Sequence, residues 1–260
     1  MIRFCTLFSG SSGNCTFLSN GQTAVLVDAG VSCSRICAAL RQVGFPPGGL
    51  DGVLVTHEHT DHIRGVGVLS RKYGVPVYAN GPTMEEILKV SGDLAPGGVR
   101  IIDAGQPFGI GGMEIFPFAI PHDAAAPLGY TIRCGGSYYS VATDMGHISK
   151  PVLHHLCRSE AVVIESNHDV EMLRQGPYPY PLKKRILSDD GHLSNDNAAH
   201  LAAQLAIWGT RRVVLGHLSE HNNTREKAYA AAKQKLEEAN IQIGADVLLQ
   251  VAPRTGICEV

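Results

Sequence analysis

The sequence predicts an α/β fold built as a four-layer sandwich, two packed mixed β-sheets with helices outside. Three observations point there. β-rich runs alternate with amphipathic helical stretches along the chain. Several of those runs are continuously apolar, the pattern of strands buried on both faces. Strand-rich segments followed by helices also recur in a rough two-fold rhythm, once in each half. The 260 residues are 44% hydrophobic and 18% charged, which supplies a core and excludes wholesale disorder. No linker interrupts the chain, so residues 1–260 read as one domain.

The strands are expected at residues 23–28, 52–56, 75–79, 113–118, 137–142, 161–165, 213–216 and 247–251, each a short β-branched or apolar run between turn residues. Helices announce themselves by their ends. Ser34 can cap a helix that stops at Gly44. Thr83 with Glu86 makes a capping box for a helix that stops at Gly92. After Ser194 and Asn195, the residues Ala198, Leu201, Ala202, Leu205 and Trp208 recur at helical spacing. Residues 224–239 form a charged, Ala-rich helix solvated on one face. In segment 176–185, Pro177, Pro179 and Pro181 enforce extended backbone and exclude helix.

Composition narrows the function classes. Lys and Arg number 22 against 24 Asp and Glu, a net charge of −2, so a grip on nucleic acid by bulk positive charge is excluded. No apolar run reaches membrane-spanning length and no signal peptide is visible. The seven cysteines are an odd number with no C-x-x-C pair, which argues against a disulfide scaffold and a zinc ribbon and for a reducing, cytoplasmic setting. Cys33 and Cys37 share a helix face and read as small buried side chains rather than a soft-metal site.

The 12 histidines are the unusual entry. Residues 57–62 read His57-Glu58-His59-Thr60-Asp61-His62, directly after an expected strand. His57 and His59, two apart on an extended segment, point the same way and can share one cation. Asp61 and His62 follow where the chain turns into a helix and can hold a second. Imidazole and carboxylate suit Zn²⁺ or Mn²⁺.

His57-x-His59-x-Asp61-His62 resembles the metal motif of the metallo-β-lactamase-fold hydrolases, and later segments follow that family's order. Asp28 closes an early strand, which in the family braces the metal loop without binding metal. His122 stands in a run that leads to Gly129-Tyr130, Asp144 ends a strand, and His217 follows a late one. The resemblance implies a first site of His57, His59 and His122, a second of Asp61, His62 and His217, and Asp144 bridging two divalent ions. Two such ions about 3.5–4 Å apart can activate a shared hydroxide and clamp both oxygens of an in-line displacement at phosphorus.

Longer strings narrow the resemblance to the YycJ (WalJ) type: Ser9-Gly10-Ser11-Ser12-Gly13-Asn14-Cys15, Glu165-Ser166-Asn167-His168-Asp169, the 176–185 segment, and Gly191-His192-Leu193-Ser194-Asn195. That implies a metal-dependent phosphodiesterase acting on DNA as a 5′-to-3′ exonuclease. The alternative is a small-molecule hydrolase of cyclic phosphodiesters or thioesters on the same dinuclear site. Asp61, His192 and Glu165 are the catalytic candidates, with His192, paired to Glu165, protonating the leaving oxygen. For substrate contact, Ser11 and Asn14 lie in a Gly-rich turn that is either a phosphate cradle or a plain hairpin. His168 is a further candidate, for a phosphate. Lys183 and Lys184, interleaved with Tyr178 and Tyr180, suit stacking and phosphate contact. His147 is expected to touch substrate or to cap a turn.

Overall fold

A computed structural model describes residues 2–260. The first half runs β1 (Arg3–Phe8), β2 (Cys15–Ser19), β3 (Ala24–Val27), α1 (Cys33–Gln42), β4 (Gly52–Leu54), α2 (Thr60–Ile63), α3 (Val66–Tyr73), β5 (Val77–Ala79), α4 (Gly81–Ser91) and β6 (Val99–Ile101). The second runs β7 (Phe108–Ile110), β8 (Met113–Ala119), β9 (Leu128–Cys134), β10 (Ser137–Ala142), α5 (Lys150–Leu156), β11 (Ala161–Glu165), α6 (Val170–Gln175), α7 (Tyr180–Ile186), α8 (Asn195–Ile207), β12 (Arg212–Gly216), α9 (Arg225–Glu238), β13 (Leu248–Val251) and β14 (Thr255–Glu259).

Two seven-stranded mixed sheets result, ordered β14-β1-β2-β3-β4-β5-β6 and β13-β12-β11-β10-β9-β8-β7. The rhythm seen in the sequence is a repeated pattern. β1 to β3 and β8 to β10 are antiparallel meanders. Each continues into three parallel strands, β4 to β6 and β11 to β13. Between the sheets Phe4, Val25, Leu54, Tyr130, Val163 and Val214 form the central core. α1, α3 and α4 cover one outer face through Ile36, Leu40, Leu69 and Ile87. α8 and α9 cover the other through Leu201, Leu205, Ala232 and Leu236. The layers are therefore α, β, β, α. Tyr130 stitches the sheets together, its hydroxyl donating to the Val55 carbonyl at 2.6 Å.

Three local expectations are corrected. Segment 176–185 is not wholly extended: Tyr180–Ile186 is helical. Pro179 sits at the N-cap and Pro181 in the first turn, where a missing N–H and a fixed φ are compatible with a helix start. Ser32, not Ser34, precedes α1. α4 begins three residues earlier than the Thr83 box implied, because Asn80 caps it by accepting from the Thr83 N–H. All seven cysteines are free thiols, and no described helix is long and apolar enough to cross a membrane.

The parallel register brings the carboxyl ends of β3 and β4, and of β10, β11 and β12, to one rim. That is where open α/β sheets place ligands. The loops there are held backbone to backbone. Asn14 N–H donates to the Asp61 carbonyl at 2.8 Å, and Gly30 N–H to Asn14 at 2.7 Å. A Cβ on Gly30 would lie 1.6 Å from the Asp61 carbonyl oxygen. Gly30→Ala should therefore push the 57–62 loop outward. Overpacking costs about 1–3 kcal/mol, at about 2–4 °C per kcal/mol for a chain of this size. The expected result is a lower melting temperature together with reduced bound metal; a variant with unchanged melting and metal content would contradict this tight fit.

Candidate metal centre

Each histidine of the 57–62 loop is aimed by what its other ring nitrogen touches. His62 Nδ1 lies 2.7 Å from Asp28 Oδ2. His57 Nδ1 lies 3.0 Å from the Thr56 hydroxyl, which itself donates to Asp28 Oδ2 at 2.9 Å. The simplest proton placement puts an N–H on both Nδ1 atoms, leaving both Nε2 atoms as lone pairs turned to the rim. Asp28 also accepts the Thr56 N–H at 2.8 Å. Thus Asp28 braces the loop from behind.

On the other sheet Glu165, at the end of β11 and fully buried, plays the same part. Its Oε2 accepts the N–H groups of Met145 at 2.9 Å and Leu193 at 3.0 Å. Its Oε1 lies 2.8 Å from both His192 Nδ1 and His217 Nδ1. Burial opposes ionisation of Glu165, yet His192 and His217 bring its pKa down to about 2. His122 is fixed by Nδ1, 3.1 Å from the Gly191 carbonyl.

The free faces of these side chains converge. Ligand atoms of His57, His59 and His122 all lie within 4.8 Å of one another, as do those of Asp61, His62 and His217, and those of His57, His62 and Asp144. His57 Nε2 and His59 Nδ1 are 3.0 Å apart, and His62 Nε2 is 3.1 Å from Asp144 Oδ2. Asp144 Oδ2 is buried with only His62 Nε2 beside it, and His217 Nε2 is buried with Asp61 Oδ2 3.5 Å away. Buried acceptors facing one another are costly unless something positive lies between them.

The electrostatics make the same demand. Burial disfavours a charge on His62, yet Asp144, Asp28 and Asp61 hold its pKa well above the ordinary histidine value. Burial likewise opposes a charge on His217, but Asp144, Asp61 and Glu165 lift its pKa to about 10. His57 moves the other way, pushed well down by burial and by His62. A divalent cation satisfies the carboxylates and the facing lone pairs together, so the donor set fits a metal centre. Three residues here also hold left-handed backbone without being glycine: Asp28 (φ 62°), Asp144 (φ 60°) and His217 (φ 54°). Such conformations cluster at functional sites.

The remaining candidates fall as follows. Asn14 is buried; it accepts the Gly10 N–H at 3.0 Å and its Nδ2 stands 3.0 Å from His62 Nε2. Ser11 is exposed on the same turn. His168 is 1% exposed and neither ring nitrogen has a partner, and burial lowers its pKa to about 4. Lys183 donates to the Arg174 carbonyl at 2.7 Å, whereas Lys184 is exposed. Arg185 grips the Asp123 carboxylate beside His122, with Nη2 to Oδ1 at 2.9 Å. His147 lies with Nδ1 2.9 Å from the Asp189 carbonyl. Two contributors escaped sequence reasoning. Thr56 relays between Asp28 and two histidines. Ser9 accepts the His217 N–H at 2.9 Å. Thr56 borders the motif; Ser9 opens the Gly-rich string already singled out, but nothing in the chain pairs it with His217, 208 positions away.

Comparison with known proteins agrees with this geometry. Residues 23–218 match a family model described as a beta-lactamase superfamily domain. Exodeoxyribonuclease WalJ of Streptococcus pneumoniae serotype 2 (strain D39 / NCTC 7466) is 39% identical over 246 residues, covering 94% of this chain and 91% of that one. Exodeoxyribonuclease YycJ of Bacillus anthracis is 39% identical over 243 residues, covering 94% and 92%. Among solved structures, the metallo-beta-lactamase fold protein YhfI of Bacillus subtilis superposes with a TM-score of 0.74 at 18% identity over 100% of both chains. The human short-form tRNase Z gives 0.63 at 17% identity, over 84% and 93%. These structures share the fold. With a superfamily domain over most of its length and two such relatives nearly end to end, the chain belongs to the metallo-β-lactamase superfamily and, within it, to the WalJ/YycJ family.

Proposed function

We propose that this protein is a metal-dependent exodeoxyribonuclease that cuts phosphodiester bonds of DNA from the 5′ end toward the 3′ end. The observation that carries the reading is the convergence of seven side chains on one rim: His57, His59 and His122; Asp61, His62 and His217; and Asp144 between the two sets. WalJ and YycJ, named as exodeoxyribonucleases, support DNA as the substrate. In this reading the seven residues hold two divalent ions, Zn²⁺ or Mn²⁺. Bound there, the ions would supply a water acidified toward neutral pH and polarisation of the phosphoryl oxygens.

The chain's own residues do the rest. His192 is held at Nδ1 by Glu165 and keeps Nε2–H for the leaving 3′-oxygen. Burial works against its charge, but Glu165 and Asp144 raise its pKa above the ordinary value, the direction that suits a proton donor. The same Glu165 oxygen touches His217. One carboxylate therefore fixes the proton donor relative to the metal side chain, the positioning that in-line chemistry requires. His168, neutral and buried without a partner, is the further candidate for a phosphate contact. Asn14 orients Asp61 and His62, and Ser11 and Lys184 lie open to the incoming strand.

DNA and RNA labelled at either end, single- and double-stranded, provide the primary test. The 5′-labelled DNA should release short products with Mn²⁺ or Zn²⁺ and none in EDTA. Absence of DNA cleavage with every metal would end the nuclease reading. Asp144→Ala should abolish cleavage and lower bound metal measured by elemental analysis; full activity would refute the two-ion arrangement. His192→Ala should slow turnover by about 10²–10⁴-fold while metal content stays at the wild-type level. Metal loss in that variant would instead make His192 part of the metal shell.

A further inference from the structure

The expected basic loop has much of its charge engaged, since Lys183 and Arg185 are held by protein groups. A different surface has free cations. Between α1 and α3 runs a cavity of about 470 Å³, whose walls include Ser32, Ser34, Arg41, Arg64, Lys72 and Tyr73. No carboxylate lines it. Arg41, Arg64 and Lys72 are exposed, and among the described residues none of them is paired with a carboxylate. In a chain of net charge −2, three cations with no carboxylate partner gather around one acid-free cavity.

The floor does not offset that charge. Cys33 and Cys37 lie there with their sulfurs 3.8 Å apart, and burial, with Cys37 beside it, pushes the Cys33 thiol up to about 11. The groove is also rigidly joined to the metal centre. Arg64 follows His62 by two residues at the end of α2. Gly65 N–H donates to the Ala29 carbonyl at 2.7 Å, and a Cβ on Gly65 would meet the Val31 carbonyl oxygen at 2.4 Å, so the start of α1 and the end of α2 are pressed together. From Cys33 at the start of α1 to Arg41 is eight residues, about 12 Å at the helical rise. That is longer than one backbone repeat of a nucleic acid strand. The Lys72 ammonium lies over the Tyr73 ring, 5.3 Å from its centre, which holds that cation at the groove.

We propose that the α1–α3 groove is a track for the phosphodiester backbone of a nucleic acid strand whose end lies in the metal centre, with Arg41, Arg64 and Lys72 as its phosphate contacts. This rests on the nuclease reading of the centre. The test is fluorescence anisotropy of a labelled single-stranded oligonucleotide in EDTA, where no turnover occurs, across a range of salt concentrations. Replacing all three residues by Gln should flatten the slope of log affinity against log salt by about 2, from three contacts at about 0.7 each. Hydrolysis of bis(p-nitrophenyl) phosphate by the metal-loaded triple variant should equal that of the wild type. Arg64→Lys, which keeps the charge, should keep the slope. An unchanged slope in the triple variant, or loss of reporter hydrolysis, overturns the track. Wild-type protein that binds DNA with a steep slope but cleaves none with any metal would remove the nuclease reading and leave the track standing.

Discussion

Four donors meet on the Glu165 carboxylate: two backbone N–H groups on one oxygen and two imidazoles on the other. Those donors come from the ends of β10 and β12 and from the turn before α8. A buried carboxylate is tolerated only when its lone pairs are used, and here all are. Removing that one group would leave Met145, Leu193, His192 and His217 with unpaired polar atoms in a water-poor rim. The geometry of the second sheet's share of the centre thus hangs on one side chain that is not itself expected to touch metal or substrate directly.

Asp28 does the equivalent for the first sheet, taking Thr56 twice and His62 once. The repeated strand pattern of the two halves therefore extends to the chemistry. Each half ends in a strand-end carboxylate that orients imidazoles, and the faces so oriented meet across the seam. Neither half holds a full set, because His57, His59, Asp61 and His62 stand on one sheet and His122, Asp144 and His217 on the other. Tyr130, bonded across the seam to Val55, keeps the two half-sites in register.

The 57–62 motif was legible because its four side chains are local. Alternation of periods revealed the layers, and strand ends in family order pointed to Asp144 and His217. Distance in sequence hid the rest. The Glu165–His217 contact joins residues 52 apart, and Ser9 reaches His217 across 208. The Gly-rich turn of Asn14 read as either a phosphate cradle or a plain hairpin, and neither reading foretold that the Asn14 side chain faces Asp61 and His62. The prolines of 176–185 misled for a different reason: proline forbids the interior of a helix, not its first turn, and only the placement of Tyr180 shows which applies. Arg41, Arg64 and Lys72 carry no pattern in the chain and become neighbours only through the packing of α1 on α3.

The left-handed backbone at Asp28, Asp144 and His217 sets stability and chemistry against each other. Each such residue costs on the order of 1–3 kcal/mol, and glycine would relieve the cost while deleting the side chain. Selection for thermal robustness alone would drift toward glycine at these strand ends and dissolve the centre. The fold thus has to carry surplus cohesion elsewhere, in its three apolar cores, to keep three uncomfortable residues in place.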